Sequence, residues 1–320
     1  MSPLASHHPR PQGSGLAVLA LLFNAFCFGV SWWPFRQIAG LGLHPLWLTG
    51  ISYGGVVALL LLARPGALLE LARTPSLWAL VLAAGLTNAC FNWAVSFGDV
   101  VRVVLLFYLM PLWTVFWSRG LLGERISLRG AVRVALALAG AAVVLWPADA
   151  AVALRPADAA VALRPADAAA GAWPLPRNLA EWLGLLGGVS FALNNVLLRR
   201  EARRSQVARS LSMFLGGALV ALVLAGWLTW QGLAAPPPAL AWPWALAASG
   251  LALWFLAANL ALQFAAATLP ANTTAVILIT EVVFATVSAL WLGAGSLGPR
   301  EALGALMIFG AALLAAVQRD

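Results

Sequence analysis

Apolar residues run along this chain in ten long blocks, separated by short stretches rich in Arg, Pro or Gly. Their limits are 15–36, 45–63, 76–97, 101–119, 129–146, 179–199, 208–230, 242–265, 270–292 and 300–317. A bilayer core about 30 Å thick needs roughly 20 apolar residues per crossing helix. The blocks have that length, and they lack the alternation that barrel strands show. In lipid each backbone polar group must be satisfied within its own segment, so the blocks predict helices. Ser210 to Thr280 passes without one Asp, Glu, Lys or Arg. The reading is an all-α membrane protein of about ten transmembrane helices. The first block is span-length and no small-residue cleavage site follows it, so it predicts a retained helix rather than a signal peptide.

The blocks repeat. A shift of 170 brings Ser118, Leu122, Gly123 and Gly140 onto Ser288, Leu292, Gly293 and Gly310. A shift of 171 brings Asn88, Asn92 and Trp93 onto Asn259, Gln263 and Phe264. Near the first and sixth blocks a shift of 163 sets Ser31 opposite Asn194 and Arg36 opposite Arg199. Fixed-offset similarity marks a duplicated unit, here of five helices. An odd number of spans turns the second copy upside down, giving two inverted five-helix repeats. The expected organisation is a tail (1–14), a first repeat (15–146), a low-complexity linker (147–178), and a second repeat with a short tail (179–320). Within the linker PADAAVALR occurs at Pro147–Arg155, recurs at Pro156–Arg164 and begins again at Pro165, the mark of duplicated coding sequence in a connection that tolerates insertion.

Composition agrees with the pattern: 62% of residues are hydrophobic and 9% charged, against roughly 25% charged in a soluble domain. The net charge is +8, and all nineteen basic residues are Arg. With both termini cytoplasmic, thirteen Arg fall on the inner side and six on the outer, which follows the positive-inside rule. The basic balance therefore sets topology and implies no nucleic acid. Heavy Ala, Gly, Leu and Arg use suggests a GC-rich bacterial genome, so the expected location is the cell inner membrane. Cys27 and Cys90 lie inside apolar blocks, and the three histidines are scattered, so no metal or redox spacing arises. No P-loop and no Ser/His/Asp arrangement occurs. No cofactor is expected, nor an enzyme; the expected partners are the lipid bilayer and a small-molecule substrate, with the chain a monomer.

Glu281 is the single charged residue between Arg209 and Arg300. A charge at the bilayer centre costs about 2.5–3.5 kcal/mol on insertion scales, so Glu281 should face the bundle interior, as an ammonium acceptor, a proton site or a neutral interhelical bond. Asn88 and Asn92 share one face of the third helix, as Asn259 and Gln263 share one face of the eighth. Asn194 and Asn195 add amides on the sixth helix, and Asn24 and Ser31 add polar groups on the first. Amides donate and accept, which suits a zwitterion, although they also join helices at about 0.6 kcal/mol per contact. Trp93, Phe107, Tyr108 and Trp113 lie deeper than the other aromatics and are candidates to stack on a passing side chain. Trp32 and Pro34 in the first helix, and Pro111 in the fourth, are gating candidates. Arg36 and Arg102 sit at outer helix ends, where snorkelling is the ordinary role. Glu124 falls in a turn beside Arg125, as a loop ion pair.

Gly29 within NAFCFGVSWWPF, and Pro111, Gly123, Glu124 and Gly140 within LMPLWTVFWSRGLLGERISLRGAV, resemble the EamA type of the drug/metabolite transporter superfamily. The segment FNWAVSFGDVVRVVLLFYLMPLW and the abundant aromatics are similar to the YddG-type amino-acid exporters. The second copy departs from the pattern, with Glu281 in place of Pro and Ala294 in place of Glu; Ser52 stands where many relatives carry Arg. The resemblance implies a secondary transporter exporting amino acids, aromatic ones included, by alternating access. The alternatives are export of other small metabolites or drug-like amines, and a non-transporting membrane scaffold or enzyme subunit.

Overall fold

A computed structural model describes residues 14–123, 128–146, 175–239, 242–269 and 271–317, and every regular element among them is a helix. Residues 1–13 of the expected tail, 147–174 of the expected linker, Glu124 with its turn, and Arg319 lie outside the described residues. Span one comprises α1 (Ser14–Gly29) and α2 (Trp32–Gly40), span two α3 (Pro45–Ala63), and span three α5 (Pro75–Phe97). A short helix, α4 (Gly66–Ala72), connects spans two and three. Span four comprises α6 (Val100–Phe107) and α7 (Met110–Leu122), and span five is α8 (Leu128–Leu145). Spans six to eight are α9 (Leu179–Arg200), α10 (Gln206–Trp230) and α11 (Trp242–Thr268). Span nine comprises α12 (Ala271–Leu278) and α13 (Thr280–Trp291), and span ten is α14 (Pro299–Val317). Spans one to four and six to eight are long and apolar enough to cross a membrane, while spans five and nine hold shorter apolar helices. Leu16, Leu19, Leu62, Val223 and Leu306 point outward, as a lipid-facing surface requires.

The inverted repeat is visible in which helices touch. Span three packs on spans six and seven, and span eight packs on spans one and two. Span one packs on span nine, and span six on span four. Spans two and seven, four and nine, and five and ten pair with each other. Exchanging each span with the one five places later maps these contacts onto one another, while span three also packs on spans one and two to an extent that span eight does not match on six and seven. The 170-residue offset is also realised as a turn: Gly123 (φ 70°) ends α7 and Gly293 (φ 67°) follows α13. Both take the left-handed conformation that only glycine adopts without strain, the usual close of a helix.

Three spans are broken, where the hydropathy pattern predicts continuous helices. In span four Pro111 has no N–H to offer the Phe107 carbonyl one turn earlier, and the helix divides between Phe107 and Met110. Span nine breaks without a proline, and span one breaks at Val30 and Ser31, where Pro34 likewise has no N–H to offer the Val30 carbonyl. In both a hydroxyl takes a carbonyl from the ladder: Ser31 Oγ donates to Phe28 O at 2.7 Å, and Thr280 Oγ1 donates to Ile277 O at 2.6 Å. Such side-chain bonds compete with the helix and bend it.

Small residues let the broken segments come close to their neighbours. A Cβ on Gly188 of span six would lie 2.4 Å from the Phe107 carbonyl. A Cβ on Gly29 of span one would lie 2.5 Å from the Glu281 carbonyl oxygen and 2.8 Å from Phe284 Cβ. The two contacts relate by the same exchange of halves. Spans five and ten approach through Gly140 and Gly304 in the same way, away from the centre.

Candidate functional site

Polar side chains on these close-packed spans converge on a cavity of about 160 Å³. A cavity of about 150 Å³ holds one benzene molecule, so the space takes one ring or a short aliphatic body. Eight of the ten spans line it: span one through Asn24, Phe28 and Ser31, span two through Tyr53, and span three through Ala84, Thr87, Asn88, Phe91 and Asn92. Phe107 comes from span four, Phe191 and Asn194 from span six, and Met213 and Phe214 from span seven. Asn259 and Leu262 come from span eight, and Leu278 and Glu281 from span nine. No described residue of spans five and ten lines it.

The amides are held by their own helices and by neighbours. Asn88 Nδ2 donates to Ala84 O at 2.7 Å, and its Oδ1 accepts from Tyr53 Oη at 2.8 Å. Asn92 Nδ2 donates to Thr49 Oγ1 at 3.2 Å, and Asn24 Nδ2 donates to Ala258 O at 2.8 Å. The Asn24 bond crosses between the halves, the Asn88 and Asn92 bonds tie span three to span two and to itself, and together they fix the amide orientations. Asn194 differs: it is 1% exposed, and its Oδ1 has no hydrogen-bond partner. A buried unpaired acceptor is costly, and this one faces the cavity.

Glu281 lies in the first turn of α13, where the positive end of the helix dipole favours a carboxylate. It occupies the position that Pro111 has in the first repeat. The Tyr108 hydroxyl is within interaction range of its carboxyl. Among the described residues no cation pairs with it.

Of the residues expected from sequence to bind substrate, Asn88, Asn92, Asn194, Asn259 and Glu281 line the cavity. Gln263 sits one turn from Asn259 and donates to Asn259 Oδ1 and to Ser210 Oγ, both at 2.5 Å. Asn195 is half-buried and turned off the lining by one helical step. Tyr108 stands behind Phe107, with ring centroids 5.9 Å apart. Trp93 packs against His44 at 5.6 Å, and Trp113 beside Phe116 at 6.2 Å with its Nε1 unpartnered. The rings that do line the cavity include Phe28, Phe91, Phe191 and Phe214, which nothing in an apolar block singles out. Thr87 and Tyr53 share that anonymity.

Trp32, a gating candidate, is buried just after the break in span one, and its Nε1 donates to Ser288 Oγ of span nine at 3.0 Å. Pro34 follows within α2, and Pro111 causes the break in span four. Arg36 lies 5.4 Å from the Trp32 ring centroid and donates to the Val95 and Gly98 carbonyls. Arg102 pairs with Glu181 at 3.2 Å. Both guanidinium groups are thus engaged at the face where span three ends. On that face Asp99 caps α6, accepting from Arg102 N at 3.0 Å, and its other oxygen accepts from Ser296 N at 3.0 Å. This joins the loop between spans three and four to the loop between nine and ten.

A solved structure described as "Crystal structure of protein" has this fold, with a TM-score of 0.53 and 18% sequence identity, covering 94% of this chain and 96% of that one. No curated protein matches the chain. Residues 15–146, which hold spans one to five, match the model of the EamA-like transporter family.

Proposed function

We propose that this chain is a secondary transporter that moves small amine-bearing metabolites through the central cavity by alternating access, exporting amino acids, aromatic ones included, from the cytoplasm. One observation carries the reading. A cavity built from both inverted halves is lined, among the described residues, by a single charged one, Glu281, at the break of a discontinuous helix. In inverted-repeat transporters such breaks at the repeat interface are where substrate is held. An intramembrane carboxyl without a cationic partner is a functional site by default.

Mechanistically, the substrate ammonium donates to the Glu281 carboxylate and to amide oxygens of the lining, while rings enclose its apolar body. Asn88, Asn92, Asn194 and Asn259 orient it. Spans one and four bend at Ser31 and Pro111, so Trp32, Pro34 and Pro111 act at the moving ends. The Asp99–Ser296 bonds hold the far face shut in the present arrangement, and opening requires breaking them. In this reading the termini are cytoplasmic, supported by the excess of Arg on that side, and the membrane is the cell inner membrane.

Counterflow in proteoliposomes tests this. Vesicles preloaded with unlabelled amino acids should accumulate labelled amino acid, and Glu281→Gln should reduce the rate at least tenfold. Failure to move any amino acid, with uptake of an organic cation, removes the amino-acid assignment. Failure to move any solute leaves a non-transporting membrane component.

A further inference from the structure

The lining is chemically one-sided. Its charged member is an acid, Glu281, and among the described residues no Arg or His lines the cavity. The two guanidinium groups at the far face, Arg36 and Arg102, are committed to backbone carbonyls and to Glu181. Three of the lining amides, Asn24, Asn88 and Asn92, spend an N–H on protein acceptors. The acceptor left over is Asn194 Oδ1, buried and unpartnered. What the described lining lacks is therefore a cationic group that could neutralise an anion, and what it offers a cation is an acid and an unpartnered acceptor.

The apolar part of the lining points the same way. Six rings surround the space: Phe28, Tyr53, Phe91, Phe107, Phe191 and Phe214. Phe107 lies 4.7 Å from Phe91 and 5.2 Å from Phe191, and Tyr53 lies 5.4 Å from Phe214. These rings come from six different spans. Aromatic faces attract a cation and repel an anion, and the effect grows when water is excluded. An α-amino acid bound through its ammonium would bring its carboxylate to within roughly 4 Å of Glu281, and like charges so close in a partly desolvated site repel strongly.

We infer that the preferred ligand of this cavity is an organic monocation, an amine whose body is about one ring in size and which carries no carboxylate. The inference rests on the transport reading above for the meaning of the cavity, and ranks amine substrates without a carboxylate ahead of the amino acids named there. Glu281 and Asn194 receive the ammonium, and the rings receive the body. An amino acid binds the same place more weakly, penalised by its own carboxylate.

Matched ligands test it on the full chain in detergent micelles by isothermal titration calorimetry. Phenethylamine and L-phenylalanine differ only by the carboxylate, and 3-phenylpropionate lacks only the amine of phenylalanine. Phenethylamine should bind at least tenfold more tightly than L-phenylalanine, and 3-phenylpropionate should give no measurable heat. Benzyltrimethylammonium should bind as well, through the rings. Glu281→Gln and Asn194→Leu should each weaken phenethylamine at least fivefold. The comparison among ligands is made on the unaltered chain, so it stands even if a variant fails to fold. Equal or tighter binding of L-phenylalanine, binding of 3-phenylpropionate, or no binding of either amine overturns the inference. The transport reading fails separately, when no solute at all shows counterflow.

Discussion

Spans four and nine are the same element of the two repeats, and both are broken near their middle, but for different reasons. Span four breaks at Tyr108 and Leu109, ahead of Pro111, which withholds the N–H that the Phe107 carbonyl would accept. Span nine breaks at Ile279, with Glu281 in the place of that proline and the Thr280 hydroxyl bonded to Ile277 O at 2.6 Å. The backbone outcome is shared, and so is the tight approach of a glycine from the opposite half. The chemistry is not shared. The first half contributes an apolar wall through Phe107, and the second contributes the acid. A duplicated scaffold can thus keep its symmetric packing while one copy supplies the charge.

Putting the first repeat's residue into the second is the most direct way to break that comparison. Glu281→Pro places a proline in the first helical turn, where it is tolerated because those N–H groups have no intrahelical partner. The fold should survive, with melting within a few degrees of the parent. Counterflow and phenethylamine binding should fall at least tenfold. Retained binding would show that the break, and not the carboxyl, makes the site.

The glycine contacts sharpen the comparison from the packing side. Gly188→Val and Gly29→Val each push carbon atoms into a backbone carbonyl, which cannot give way as a flexible side chain does. Overpacking typically costs about 1–3 kcal/mol, and each variant should melt roughly 3–10 °C lower. The two should then part company. Gly29→Val displaces the Glu281 segment itself and should reduce amine binding in whatever protein still folds. Gly188→Val displaces the Phe107 wall and should leave binding within about threefold, since one ring of six contributes modestly. Equal loss of binding in both would mean that the halves do not divide the chemistry as described.

The ten spans were legible because a run of twenty apolar residues has one physical use, and their limits agree with the helices to within a few residues. The breaks were not, apart from the hints of Pro34 and Pro111. Ser31 and Thr280 act by a single hydroxyl-to-carbonyl bond inside an apolar run, and the same residues elsewhere lie harmlessly on a helix. The polar half of the cavity was legible for the same reason as the spans. An amide or carboxyl within lipid reach is expensive, so Asn88, Asn92, Asn194, Asn259 and Glu281 announce themselves. Of the aromatic half only Phe107 was: Phe191 and Phe116 read alike, yet one lines the cavity and the other faces outward. Nor could sequence tell that spans two and seven join the lining, because Tyr53 and Phe214 reach it through contacts with Gly217 and each other.

The loops hold the smallest expected effect. Asp99 and Glu70 both join loops of opposite halves, at opposite faces. Asp99 is half-buried and fixed by a helix cap as well as by Ser296. Glu70, in α4, accepts from Ser205 N at 3.0 Å and from Ser205 Oγ at 2.6 Å, at the start of α10. These bonds favour the ionised form and hold the Glu70 carboxyl below its ordinary value of 4.5. A carboxylate with a depressed value contributes stability above its unfolded value, and that contribution is lost as pH falls through the folded one. Melting of the parent should therefore soften below about pH 4.5, and Glu70→Gln should lose the advantage already at neutral pH and vary less with acid. The difference should be about 1 °C, because exposed charged contacts are worth about 0–1 kcal/mol. Asp99→Asn, by contrast, should lower melting further and speed counterflow, because it loosens the closed face. If Glu70→Gln speeds counterflow as much, then the near-face bond is also a closing contact, and the two faces are held by equivalent latches.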